Sequence, residues 1–154
     1  MPIKTHEIKS GIVALFDPAV LLGDSRMYAG ILNHVRAGFR KGPFVCIMER
    51  DGRSAWLHLT TRAQANYPRL FIQDKWRSHG GYSWLSKPQY IADGRAVFCG
   101  DNETFEIASA SEWPYQHGRP TVSKEGVSAI LAEARNFPEY YEAAMMHLAG
   151  CRVA

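Results

Sequence analysis

Short apolar runs bounded by turn residues recur in the first two thirds of the chain, which predicts short β-strands. The clearest stretch is residues 39–61, FRKGPFVCIMERDGRSAWLHLTT, where two apolar-rich arms flank Asp51-Gly52. A type I′ turn needs positive φ at both central residues, so Asp-Gly between such arms predicts a two-residue hairpin. A two-residue turn also sets the register of the two arms. The expected pairs are Arg50 with Arg53, Met48 with Ala55, Ile47 with Trp56, Cys46 with Leu57, Val45 with His58 and Phe44 with Leu59.

Further strands are predicted on both sides of this hairpin. Residues 11–17, GIVALFD, form an apolar run that predicts a buried strand, and residues 69–73 predict a short one. In residues 89–100, QYIADGRAVFCG, the dipeptide Asp93-Gly94 again separates two apolar segments, which predicts a second type I′ hairpin.

Helical spacing of apolar residues appears in two regions. Residues 24–39 predict a helix inserted between strands, with Asp24 as its N-cap. Two helices are predicted within residues 121–150, the first capped by Ser123 and the second opened by Pro138. The fold class is therefore α+β. We expect a small, strongly bent antiparallel barrel over residues 11–108, built on two Asp-Gly hairpins, followed by a helical hairpin.

Length and composition indicate a single domain over residues 1–154. Hydrophobic residues make up 46% of the chain and charged residues 21%, as in ordinary folded globular proteins. The three cysteines are widely spaced, which argues against a disulfide framework and a four-cysteine zinc site. The chain begins without an apolar signal region and contains no apolar run of membrane-spanning length. We expect a cytoplasmic protein with no membrane contact.

Positive charge is concentrated in the middle of the chain. Between positions 36 and 95, eleven Lys and Arg residues stand against four Asp and Glu residues, a local excess of +7 (eleven minus four). Nine of the eighteen aromatic residues lie in the same region. Basic residues interleaved with aromatic ones suit a nucleic-acid backbone and exposed bases. A solvated basic face over an aromatic core would give the same pattern.

Several common chemistries lack their motifs in this chain. It contains no Walker loop, GxGxxG, HExxH or GxSxG sequence, and its six histidines are scattered rather than paired at ligand spacing. Metal-free phosphodiester cleavage remains compatible, since basic, imidazole and hydroxyl side chains are sufficient for it. We expect no cofactor and no metal site.

Three segments resemble the MazF/PemK-like toxins of toxin–antitoxin systems. They are the opening strand GIVALFD, the segment RKGPFVCIMERDGRSAWLHLTT and the later KPQYI…AVFCG. The resemblance covers residues 11–108 and implies an SH3-like barrel, a homodimer, metal-independent endoribonuclease activity on RNA and an antitoxin-like protein partner. The family has an arginine directly before the proline, whereas Gly42 stands there in this chain, with Arg40 and Lys41 upstream. A barrel of the family that binds RNA without cutting it is therefore an open alternative.

The resemblance and the chemistry together suggest candidate catalytic residues. A basic residue before the strand would stabilise the phosphorane, a threonine at the end of the later strand would position the phosphate, and a histidine would act as acid or base. The candidates are Arg40 or Lys41, Thr60 or Thr61, and His58 or His79.

The second hypothesis is a non-catalytic interaction module that binds a protein partner or nucleic acid. Its contact surface would combine aromatic and basic side chains of the polar segment that follows the central hairpin. These residues are Arg62, Trp76, Arg77, His79, Tyr82, Trp84 and Lys87. The tryptophans could instead only cover one end of the barrel. A structural or accessory protein without a ligand is the third hypothesis.

Overall fold

The computed structural model describes residues 2–30, 41–61, 70–109 and 118–150 and shows a mixed α+β architecture with a mostly antiparallel sheet. The strands are β1 (Val13–Phe16), β2 (Tyr28–Ala29), β3 (Gly42–Arg50), β4 (Arg53–Thr60), β5 (Arg77–Ser78), β6 (Tyr90–Ile91), β7 (Val97–Asp101) and β8 (Thr121–Val122). The helices are α1 (Pro18–Leu22), α2 (Tyr82–Ser86), α3 (Asn102–Ala108), α4 (Lys124–Arg135) and α5 (Pro138–Leu148). Short 3₁₀ turns occupy Thr5–Glu7 and Asp74–Trp76.

The main sheet has the strand order β1-β3-β4-β7-β2, with β6 also paired to β4. All these pairings are antiparallel, and β5 and β8 form a separate two-stranded sheet. The predicted α+β class with an antiparallel sheet is confirmed, but within the described residues this sheet is open, so the predicted barrel does not form. A barrel buries one face around a single core, whereas this sheet buries both of its faces.

The two faces of the sheet carry separate hydrophobic clusters, because successive side chains of a strand point to opposite sides. In β4, Ala55, Leu57 and Leu59 belong to the cluster beneath α4 and α5. Trp56 belongs to the other cluster, where its ring lies 4.7 Å from that of Phe16 in an edge-on contact. Near-continuous apolar character along β3 and β4 is therefore a consequence of two-sided burial.

The first Asp-Gly hairpin is confirmed, and its register is confirmed only next to the turn. Asp51 and Gly52 have φ values of 51° and 81°, as a type I′ turn requires. A β-bulge between Cys46 and Met48 then shifts the pairing by one residue. The pairs are Arg50–Arg53, Glu49–Ser54, Met48–Ala55, Cys46–Trp56, Val45–Leu57 and Phe44–His58.

The bulge explains why the predicted pairs beyond Met48 are wrong. A bulged strand has one residue more than its partner, so two successive side chains can point to the same side. Ile47 and Met48 both pack against the cluster beneath α4 and α5. The extra residue thus allows the apolar side chains before and after the bulge to remain buried.

The second predicted Asp-Gly hairpin is wrong. Strands β6 and β7 both pair with β4, one after the other along its length, and not with each other. Neither Asp93 nor Gly94 has positive φ. Asp93 instead accepts hydrogen bonds from the Arg95 backbone N–H (3.0 Å) and guanidinium, and a Cβ on Gly94 would lie 3.0 Å from the Phe137 ring. Here Asp-Gly forms a loop that interrupts one edge of the pairing and packs against Phe137.

The predicted helix over residues 24–39 is wrong for residues 24–30, and residues 31–39 lie outside the described part of the chain. Asp24 accepts a hydrogen bond from the Arg26 backbone N–H (2.9 Å) and so forms a local turn. Tyr28–Ala29 then pairs with β7. Side chains that cap helices also close such turns, which explains the error.

The two C-terminal helices are confirmed. Ser123 accepts a hydrogen bond from the Gly126 backbone N–H at 3.2 Å, and Pro138 occupies the first turn of α5. Their buried residues, among them Ile130, Ala144 and Leu148, join the cluster on one face of the sheet. None of the helices in the described residues is long and apolar enough to span a membrane.

Gly11 and Gly52 both have positive φ, but a Cβ would overlap a neighbouring atom only at Gly11. Gly11 has φ of 91°, and a Cβ there would lie 2.4 Å from the Val122 carbonyl oxygen, whereas a Cβ on Gly52 would meet nothing within 4 Å. We expect Gly52→Ala to lower the free energy of unfolding by about 1–2 kcal/mol from backbone strain alone. Gly11→Ala should cost about 1–3 kcal/mol more, because overlap adds to strain. Urea unfolding of both variants checks this, and equal losses would contradict it.

Candidate functional site

Of the predicted catalytic residues that the structure describes, Lys41, His58, Thr60 and Thr61 lie towards one end of the main sheet, whereas His79 follows β5 of the separate two-stranded sheet. Lys41 directly precedes β3 and is exposed, Thr60 ends β4 opposite Tyr90, and Thr61 is exposed beyond it. Lys41 and Thr61 thus lie where adjacent strands begin and end. Arg40 lies outside the described residues.

His58 lies two residues before Thr60 and is half-buried. Its ring makes an edge-on contact with Phe44, with 4.7 Å between the ring centroids. The structure therefore places this imidazole against an aromatic side chain of the core cluster.

Both tryptophans of the predicted aromatic contact surface are buried. Trp76 and Trp84 are each 6% exposed and belong to the cluster beneath α4 and α5. They cannot act as exposed stacking platforms in this conformation. The described residues of this set that remain exposed are His79, Tyr82 and Lys87, of which Tyr82 is 83% exposed. Arg62 lies outside the described residues.

Arg77 is also buried, at 6% exposure, and its guanidinium binds within the protein. Its Nη1 donates to the carbonyl oxygens of Trp84 (2.6 Å) and Lys87 (2.7 Å), and its Nη2 forms an ion pair with Asp74. The positive charge of Arg77 therefore holds residues 74–87 together rather than facing a ligand.

A cleft of about 600 Å³ lies at the opposite end of β4, about 23 Å away for an eight-residue strand. It is formed by the segment before β2, the first residue of β4, the last residue of β7 and helix α5. We call it the arginine cleft. Its lining residues are Ser25, Arg26, Met27, Tyr28, Arg53, Asp101, Ala143 and His147.

Asp101 joins the two arginines of this cleft. Its carboxylate lies 3.1 Å from Nη1 of Arg26 and 3.3 Å from Nε of Arg53, and Arg53 stands directly opposite Asp101 in the β4–β7 register. Asp101 occupies the N-cap position of α3, but its side chain makes no capping hydrogen bond. In the described part of the chain, the two Nη groups of Arg53 make no hydrogen bond, so they are available to a ligand.

Asp24 fixes the position of Arg26. It accepts hydrogen bonds from the backbone N–H of Arg26 (2.9 Å), the Nε of Arg26 (3.3 Å) and the hydroxyl of Thr104 (2.6 Å). The Thr104 hydrogen bond, together with those from Arg26, lowers the pKa of Asp24 below its usual value. Asp24 in turn raises the pKa of Arg26, so both groups stay charged.

Tyr28 and His147 form the aromatic wall of the arginine cleft. Their ring centroids lie 6.0 Å apart, and the Tyr28 hydroxyl is 3.4 Å from the Tyr140 carbonyl oxygen. Burial raises the pKa of Tyr28, so its phenol remains protonated at neutral pH. The cleft thus combines two guanidinium groups, a neutral phenol and an imidazole, a set suited to binding a phosphate or carboxylate group.

Asp101 also lines a second cleft of about 490 Å³, which includes Gly52 of the hairpin turn. Its lining residues are Thr5, His6, Glu49, Gly52, Asp101, Asn102 and Glu103, and we call it the acidic cleft. In the residues that the structure describes, no group of three or more His, Cys, Asp or Glu side chains is placed to hold a metal ion.

Sequence reasoning missed the arginine cleft. Its chemically important residues come from four separate segments, and Tyr28 fell within the helix predicted over residues 24–39. One signal was present. Arg53 follows the Asp-Gly turn directly, so the predicted hairpin already located this residue at the end of the sheet.

The hydrogen bond from Thr104 offers a test of the network around Arg26. We expect Thr104→Val to raise the pKa of Asp24, because the largest interaction that lowers it is removed. A carboxyl group whose pKa is lower in the folded state than in the unfolded state stabilises the protein at pH values above the unfolded pKa. That stabilisation is lost as pH falls through the folded pKa. The stability of the Thr104→Val variant should therefore depend less on pH in the acid range.

Carboxyl ¹³C NMR titration of Asp24, from about pH 2 to pH 6, measures this directly. Thr121→Val is the matched control, since the Thr121 hydroxyl donates to the Ser78 carbonyl oxygen, away from Asp24. An unchanged titration of Asp24 in Thr104→Val would contradict the assignment.

Comparison with known proteins gives no further guide to the role of these clefts. No protein-family model matches the chain, and no significant match is found among curated proteins or solved structures. The resemblance to MazF/PemK-like toxins stays a prediction, and the function has to be inferred from the side chains described above.

Proposed function

We propose that this protein binds RNA and acts as a metal-independent endoribonuclease, with the phosphodiester held in the arginine cleft. The observation that carries the proposal is the presence of Arg26, Arg53, Tyr28 and His147 in one cleft. Under this proposal the antiparallel run β1-β3-β4-β7 is an open relative of the SH3-like barrel of MazF/PemK-like toxins. The same resemblance implies a homodimer and an antitoxin-like partner.

The two arginines would bind the phosphate. The Nη groups of Arg53 make no hydrogen bond within the described residues, and Arg26 is held at the cleft by Asp24 and Asp101. A guanidinium group can donate to two phosphate oxygens at once, and its positive charge stabilises the extra negative charge of a phosphorane. Asp101 is a positioning residue here, because it orients both guanidinium groups.

His147 and Tyr28 would move the protons. The His147 imidazole accepts the proton of the ribose 2′-OH as that oxygen attacks phosphorus. The Tyr28 phenol donates a proton to the departing 5′ oxygen, which is far more basic than a phenolate. The products are a 2′,3′-cyclic phosphate and a free 5′-OH, so no water or metal enters this step.

Binding without cleavage is the second candidate. The carboxylates of Asp24 and Asp101 balance the charges of Arg26 and Arg53, which reduces the attraction of the cleft for a phosphate. A cleft of this kind would hold RNA weakly and with strong dependence on salt. The outcome of the following test distinguishes the two candidates.

We expect wild-type protein to cut a labelled mixed-sequence RNA in the presence of EDTA. His147→Gln should reduce the cleavage rate by about 10²–10⁴-fold with little change in binding, since only proton transfer is lost. Arg53→Gln should weaken binding and lower the slope of log affinity against log salt by about one phosphate contact. Gel assays of products and binding measure both effects.

Lys124→Gln is the matched control for loss of one positive charge, because Lys124 is exposed at the start of α4. Circular dichroism confirms that each variant is folded. Loss of cleavage in Lys41→Ala and Thr60→Ala, with His147→Gln unaffected, would move the active site to the other end of the sheet. Salt-sensitive binding without cleavage would support the second candidate, and absence of both would refute the proposal.

A further inference from the structure

We propose that the acidic cleft binds a guanine base next to the phosphodiester held in the arginine cleft. This inference rests on the proposed RNA-binding function and specifies its substrate. The two clefts share Asp101, so a nucleotide whose phosphate lies in one can place a neighbouring base in the other.

The acidic cleft offers hydrogen-bond acceptors. Oε1 of Glu49 is oriented by the Gly52 backbone N–H (3.2 Å) and by Nδ2 of Asn102 (3.4 Å). Glu103, in the first turn of α3, is exposed. In the described part of the chain its carboxylate accepts no hydrogen bond and forms no ion pair, so both of its oxygens can accept from a ligand.

Asn102 provides the second and independent observation. It lines the cleft, is only 4% exposed, and its Oδ1 has no hydrogen-bond partner within the described residues. A buried amide oxygen without a partner is costly, and a donor group that enters this cleft can supply the missing hydrogen bond.

Guanine fits this set of acceptors better than the other bases. Its Watson–Crick edge presents two neighbouring donors, N1–H and the N2 amino group, which a carboxylate can accept together. Adenine, cytosine and uracil each present one donor group on that edge, beside an acceptor that a carboxylate repels. The exposed His6 imidazole at the rim can stack on a flipped-out base.

Charge also separates the roles of the two clefts. Glu49, Asp101 and Glu103 repel phosphate from the acidic cleft, whereas Arg26 and Arg53 attract it to the arginine cleft. The RNA backbone should therefore remain with the arginines while only an uncharged, donor-rich base enters the acidic cleft.

The test measures binding of uridine pentamers in which the central base is replaced by guanine, inosine, adenine or cytosine. All sugars carry 2′-fluorine, so that no RNA is cut during the measurement. Inosine retains N1–H but lacks the N2 amino group and is the matched ligand control. Fluorescence anisotropy should show that the guanine pentamer binds at least about tenfold more tightly than the inosine or adenine pentamer.

Glu103→Gln and Glu49→Gln should each reduce the preference for guanine over adenine, since each removes a charged acceptor. Glu125→Gln is the control, because Glu125 is exposed on α4 and faces Lys75 at 3.9 Å. This variant should keep the full preference.

The outcomes distinguish failure of the guanine site from failure of RNA binding itself. Binding of all pentamers with equal affinity, or a guanine preference that both cleft variants retain, would overturn the guanine site while RNA binding stands. Failure of every pentamer to bind would overturn both.

Discussion

Burial of apolar side chains on both faces of one strand, β4, is the constraint on which the rest of the structure depends. Trp56 packs on one side against the cluster of Phe16 and Phe105, and Leu57 packs on the other beneath α4 and α5. Full burial of such side chains contributes about 1.5–3 kcal/mol each, so the sheet needs α4 and α5 on one face and α3, which carries Phe105, on the other. The two clefts lie at the end of the sheet where these layers meet the hairpin turn.

Asp101 links the fold to the proposed chemistry. It ends β7, precedes α3 and stands opposite Arg53, so its position is determined by strand pairing rather than by a flexible loop. From there its carboxylate orients Arg26 and Arg53 towards one cleft and adds its charge to the other. One residue thus lies between an arginine-rich cleft and an acceptor-rich cleft.

Local chemistry determined which sequence predictions were correct. Asp51-Gly52 forms the predicted turn because its two arms pair directly with each other, whereas Asp93-Gly94 lies between segments that both pair with β4. The bulge at Ile47 has no sequence signature, so the register beyond it could not be predicted. The clefts combine residues from distant segments, and contacts of that kind are not visible in local patterns.

The buried guanidinium of Arg77 has a consequence for local unfolding. Its bonds to the carbonyl oxygens of Trp84 and Lys87 and its ion pair with Asp74 tie three points of one segment to a single side chain. Opening any part of this segment leaves a buried charge without partners, so its amide hydrogens should exchange with solvent together. Residues 74–87, a polar stretch in the sequence, are therefore expected to open as one cooperative unit.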